Sequence, residues 1–174
     1  MSCILNSGYQ LQQCQRGMAG VVRLYIIPFS ASTSTGCIID VDNRISGMTT
    51  GASNTWYAFD CVNATAEVNE TAKGSVQNGT SFWDQEINFV INKPNYTLRN
   101  QIATLATTTC HVIAVNRNGD YRLYGKTVGC DALEIKTGSG KKADDPFQYQ
   151  IKFTAQEPVE SYFLTNGTIF TSSY

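Results

Sequence analysis

The sequence predicts a mainly β chain: a β-sandwich or barrel with one flanking α-helix and a long β-hairpin. Three observations point there. Short runs of β-branched and aromatic residues are separated by turns rich in Gly, Asn, Ser and Pro. Several of these runs alternate between apolar and polar residues, the period of a half-buried strand. Only one stretch carries a helical stripe. At 174 residues the chain suits one domain, 1–174, with an N-terminal arm over 1–20, the long hairpin over 62–91 and a C-terminal tail over 159–174.

Val21 to Pro28 is the first β-rich run, bounded by Gly20 and by a loop from Phe29 to Gly36. Cys37 to Val41 and Thr55 to Val62 follow, separated by the turn-prone stretch Asp42 to Asn54. From Val62 the chain alternates, with Asn63, Thr65, Glu67, Asn69 and Thr71 opposed to Val62, Ala64, Ala66, Val68 and Ala72. Glu70 is the exception on the apolar side. Past the turn around Asn78-Gly79, Trp83, Ile87, Phe89 and Ile91 alternate with Asp84, Glu86 and Asn88, so Val62 to Ile91 reads as one antiparallel hairpin. Asn92-Lys93-Pro94 offers an N-cap and an early proline to a helix over Pro94 to Ala106, where Leu98, Ile102 and Leu105 share a stripe. Cys110 to Val115 and Tyr121 to Tyr124 form a second hairpin, whose Asn118-Gly119 predicts a type I′ turn. Ala132 to Lys136 is a further candidate strand, Thr137 to Pro146 a loop, and Phe147 to Ala155 a strongly alternating strand that Pro158 ends.

Hydrophobic residues make up 42% and charged residues only 16%, which excludes a charged, disordered chain. Thirteen basic against fourteen acidic residues leave no excess for gripping phosphates or lipid headgroups, and the apolar runs are too short to span a membrane. Met1 to Gly8 shows neither the basic nor the apolar run of an export signal, so none is expected and the six cysteines are expected to be reduced, mostly buried small hydrophobes rather than a disulfide framework. Five N-x-[ST] sequons, at Asn63, Asn69, Asn78, Asn95 and Asn166, are read as turn and strand chemistry. No catalytic, cofactor or metal site is expected. The single histidine, His111, sits in a β-rich run with no Cys or carboxylate cluster of metal-ligand spacing around it, and Gly138-Ser139-Gly140-Lys141-Lys142 does not meet the spacing of a phosphate-binding loop.

The order of several motifs then carries a resemblance. Asn78-Gly79-Thr80-Ser81-Phe82-Trp83-Asp84-Gln85 follows a polar strand; a helix around Leu98 to Leu105 precedes His111-Val112-Ile113-Ala114-Val115 and Asn118-Gly119. Phe147 to Phe153 then runs into Thr154-Ala155-Gln156-Glu157 and Tyr162-Phe163-Leu164. This order resembles the tail tube proteins of bacteriophages, most of all those of phages infecting Bacteroidetes, and it covers essentially the whole chain. The segment Asn116-Arg117-Asn118-Gly119 departs from the family pattern in lacking an acidic residue, and Gln15-Arg16 stands where Arg-Asp is commoner.

The resemblance implies a two-sheet sandwich with a flanking helix, built into rings, usually of six copies, that stack into a conduit for the genome. It also implies a virion location after assembly in the host cytoplasm, contacts with other tail or connector proteins, and DNA passing without specific binding. A capsid decoration or head-to-tail connector subunit is the alternative among assembly proteins. A receptor- or glycan-binding β-sandwich is the alternative of another class. Side-chain parity puts Val68, Trp83, Ile87 and Phe89 under the hairpin and Thr65, Glu67, Asn69, Asp84, Glu86 and Asn88 on its polar face, because residues two apart on a strand share a face. That the polar face lines the lumen is what the resemblance adds.

Overall fold

A computed structural model of the protein describes residues 19–49, 55–62, 65–75, 77–92, 95–139, 145, 147–167 and 171–173. The N-terminal arm up to residue 18, with Cys3 and Cys14, and the predicted hairpin positions Asn63 and Ala64 lie outside them.

The elements run β1 (Val21–Pro28), α1 (Ala31–Thr35), β2 (Cys37–Ile39), β3 (Ile45–Met48), β4 (Thr55–Asp60), β5 (Glu67–Ser75) and β6 (Thr80–Asn92). They continue with α2 (Tyr96–Leu105), β7 (Cys110–Asn116), β8 (Tyr121–Tyr124), β9 (Asp131–Gly138), β10 (Gln148–Glu157), β11 (Tyr162–Phe163) and β12 (Thr171–Ser173). A six-stranded sheet has the order β11-β8-β7-β1-β4-β12, a four-stranded sheet the order β5-β6-β10-β9, and β2 and β3 pair separately. The mainly β, sandwich-like class with a flanking helix and a long hairpin is what the alternation predicted.

The six-stranded sheet is covered on both faces, which explains why its central strands are continuously apolar rather than alternating. Leu24 and Ile26 of β1 and Val112 and Ala114 of β7 turn to one side. There they pack on Ile87, Phe89, Ile151, Phe153 and Ala155 of the four-stranded sheet and on Ile102 of α2. Tyr25, Ile27, Trp56, Ile113 and Leu123 turn to the other side, where Ile45 of β3 and Leu164 cover them. The β2–β3 pair therefore adds a third, small layer to the two expected.

Several boundaries differ from the sequence expectation, each for a local reason. The hairpin begins at Glu67 rather than Val62, because Thr65 folds back, its backbone N–H and its hydroxyl both donating to Val62 O at 3.1 and 2.7 Å. The stretch Asp42 to Asn54 contains β3, and the loop Phe29 to Gly36 contains the one-turn helix α1. Asn92 is the last residue of β6; the helix cap is Asn95, whose side-chain oxygen accepts from Leu98 N at 2.8 Å. The turn between β7 and β8 is not type I′. Gly119 N donates to Asn116 O at 2.9 Å and only Gly119, at φ +85°, is left-handed there, the geometry of a type I turn followed by a glycine bulge. The strand read over Ala132 to Lys136 runs on to Gly138, into the expected loop.

Cys37, Cys61, Cys110 and Cys130 are free thiols, in line with the expected absence of a disulfide framework at these four positions. Burial pushes the thiols of Cys61 and Cys110 up to about 12, so both stay protonated and inert at neutral pH.

Candidate functional site

The four-stranded sheet has one apolar and one polar face, and the polar face is the candidate site. Register builds it. On β5 and β6, Glu67 stands opposite Asn88, Asn69 opposite Glu86 and Thr71 opposite Asp84. On the other flank of β6, β10 sets Lys152 opposite Asn88, Thr154 opposite Glu86 and Gln156 opposite Asp84. Beyond β10, β9 adds Lys136 opposite Gln150, Glu134 opposite Lys152 and Asp131 opposite Thr154.

Five of the six polar residues singled out in the sequence, Glu67, Asn69, Asp84, Glu86 and Asn88, thus share one face. Thr65 stays in the preceding turn. The contributions of β9 and β10 were not anticipated. The alternation of Gln148, Gln150, Lys152 and Thr154 was visible, but that it lies beside β6 is a long-range fact with no local signal.

Those neighbours change the electrostatics. Lys73 pairs with Asp84 at 2.5 Å, Lys152 with Glu86 at 2.7 Å and Lys136 with Glu134 at 3.0 Å. Asn88 donates to both Glu86 and Glu67, at 2.9 and 3.2 Å. Lys152, then Asn88, hold the Glu86 carboxyl below the usual carboxylate range by favouring its charged form. The described face carries five carboxylates against three ammonium groups, a net charge of −2. It is a mixed, mildly acidic surface rather than the purely acidic one the hairpin alone suggested.

Beneath it, Ile87 and Phe89 are 1% exposed, and Val68 packs against the same core. Phe89 stacks on Phe153 with ring centroids 5.9 Å apart. Trp83 shares their side of β6 but stands nearer its start, half-buried, opposite Ala72 and Glu157 rather than in the core cluster.

Two carboxylates on this inner side fasten the sheets together. Glu70, the exception in the alternation, accepts from Gln85 Nε2 at 3.0 Å, Arg122 Nη1 at 3.4 Å, and Ser161 N and Oγ at 3.0 and 2.9 Å. Gln85 in turn accepts from Gly125 N at 3.1 Å. Glu157, 2% exposed, accepts from the backbone N–H groups of Thr127, Val128 and Gly129, the closest at 2.8 Å. Gly129 turns at φ +93°, where a side chain would meet Thr109 and Phe29, so the loop can wrap the carboxylate only with glycine there.

His111 is fully buried, its Nδ1 2.7 Å from Gly125 O and its Nε2 3.3 Å from both Ser30 N and Ser30 O. Burial lowers its pKa and favours the neutral ring. Among the described residues no group of three His, Cys, Asp or Glu side chains could hold a metal ion. No helix among them is long and apolar enough to cross a membrane. A partly open cavity of about 330 Å³ lies between α2 and strands β1 and β4, lined by Ile26, Pro28, Tyr57 and Phe59 from the strands and by Gln101, Thr104 and Leu105 from the helix.

No protein-family model, no curated protein and no solved structure matches this chain.

Proposed function

We propose that the protein is a structural subunit of a bacteriophage tail, a tail tube or tail ring protein whose copies assemble into a conduit for genome delivery. One observation carries the reading beside the motif order: the four-stranded antiparallel sheet, apolar beneath and polar above, has edge strands, β5 and β9, that pair with no further strand among the described residues. Such a sheet is a segment of a barrel. Repetition around a ring removes edges that would otherwise template aggregation.

The polar face suits a lumen through which DNA must slide. Asp84 and Glu86 take up the ammonium groups of Lys73 and Lys152, and the remaining net charge is negative, so phosphates meet no cationic well. Asn69, Thr71, Asn88, Thr154 and Gln156 keep most of the surface hydrated, with the half-buried Phe82 and Val90 of β6 as apolar interruptions. In this reading the apolar side rests on the subunit's own six-stranded sheet, the protein resides in the virion tail, and its partners are further copies and neighbouring tail or connector proteins.

Replacing Glu67, Asp84 and Glu86 together with Lys tests the lumen assignment in phage particles. Ring assembly should persist while DNA release slows or stalls on the new phosphate contacts. Release at the normal rate from particles carrying the variant would place the polar face elsewhere.

A further inference from the structure

We propose that the two edges of the four-stranded sheet left unpaired among the described residues are the two halves of one interface, β5 of one copy pairing antiparallel with β9 of the next. The inference rests on the conduit reading and adds to it the identity, direction and charge register of the seam. The edges match in length, nine residues in β5 and eight in β9. Both also run from acidic to basic along the chain, so they become complementary when laid antiparallel. Outward-facing β5 begins with Glu67 and ends with Lys73, and β9 begins with Asp131 and Glu134 and ends with Lys136. Antiparallel docking sets the acidic start of β5 against the basic end of β9 and the basic end of β5 against the acidic start of β9. Parallel docking would set acid on acid and lysine near lysine, which is unfavourable in directly facing pairs.

Side-chain parity narrows the register, because only pairings that keep outward residues opposite outward residues preserve the polar face. With Glu67 opposite Lys136, Asn69 falls opposite Glu134. The ladder irregularity at Leu133 then lets Thr71 meet Asp131, diagonal to Lys73. Glu67 has no ion-pair partner among the described residues and accepts only from Asn88, so Lys136 of the next copy supplies what its own sheet does not. Leu133, left out of the ladder with β10, is 66% exposed and gives the seam an apolar contact. Four strands alternate in direction, so head-to-tail repetition keeps every neighbour antiparallel, the seam included, and one contact type satisfies both edges of every copy. A twofold β5–β5 contact would also oppose Glu67 to Lys73, but it would leave β9 uncovered.

The test mixes isotope-labelled and unlabelled full-length protein, assembles it, and joins touching carboxylates and amines with a zero-length carbodiimide. Peptides of mixed isotope content should join Glu67 to Lys136 and Lys73 to Asp131 or Glu134. Glu67→Lys or Lys136→Glu alone should raise several-fold the protein concentration at which oligomers form, and the two together should restore it. Oligomers whose mixed-isotope links join Glu67 to Lys73, or lie away from β5 and β9, would overturn the pairing and leave the conduit reading standing. A chain that stays monomeric at all concentrations would overturn both.

Discussion

The two faces of the β5–β6 hairpin use the same residue type for opposite ends. On the inner face Glu70 accepts four hydrogen bonds from Gln85, Arg122 and Ser161 and ties one sheet to the other. On the outer face Asp84 and Glu86 meet single lysines at the surface, Lys73 and Lys152, whose side chains are 52% and 30% exposed. A carboxylate on the inner face is part of the fold, because removing it strands several donors away from water. One on the outer face is replaceable as far as folding goes, because exposed ion pairs contribute little. The outer face is therefore free to be shaped by what passes over it or binds beside it.

Substitutions on the two faces should separate cleanly. Phe89→Ala, which empties the ring stacked on Phe153 at the centre of the core, should cost about 3–5 kcal/mol, read as a lower denaturant midpoint with unchanged slope. Glu157→Ala should cost about 1–3 kcal/mol by leaving the N–H groups of Thr127, Val128 and Gly129 without their acceptor. Faster amide exchange confined to that loop would accompany it. Protonation of His111 should produce a smaller, pH-dependent loss. The buried ring binds its proton below the ordinary value of 6.5, so the unfolded chain takes up the proton first. The contribution is complete above pH 6.5 and declines as the pH falls beneath it, and His111→Gln should flatten that decline. Glu86→Gln on the outer face should cost less than about 1 kcal/mol, an effect that added salt makes smaller still.

Much of this contrast is legible in the sequence. The alternation from Asp84 to Ile91 assigns Ile87 and Phe89 to one face and Glu86 and Asn88 to the other, since a period of two admits no compromise. The same parity isolated Glu70 as an exception, and its meaning emerged only with Arg122 and Ser161, 52 and 91 residues further along the chain. The pairing of Lys152 with Glu86 is hidden for the same reason, whereas Lys73 reads as part of the turn over Lys73 to Thr80 and in fact lies within β5 beside Asp84. Which strand lies beside β6 is decided by the packing of the whole sandwich, not by a local pattern. Ile45 to Met48 escaped notice because four residues containing a glycine carry little periodic signal, although Ile45 is fully buried against Trp56 and Leu164. Ala31 to Thr35 has no apolar stripe at all, and tertiary context holds it through the buried Thr33.

The central claim is that this sheet is one segment of a closed wall. Electron microscopy of the purified protein over a rising concentration series tests it most directly. Annular particles of fixed copy number, open at the centre, with the strands of β5, β6, β10 and β9 forming the inner wall, are the expected result. A monomer that persists at the highest concentration reached, or oligomers in which this sheet faces outward, would contradict it.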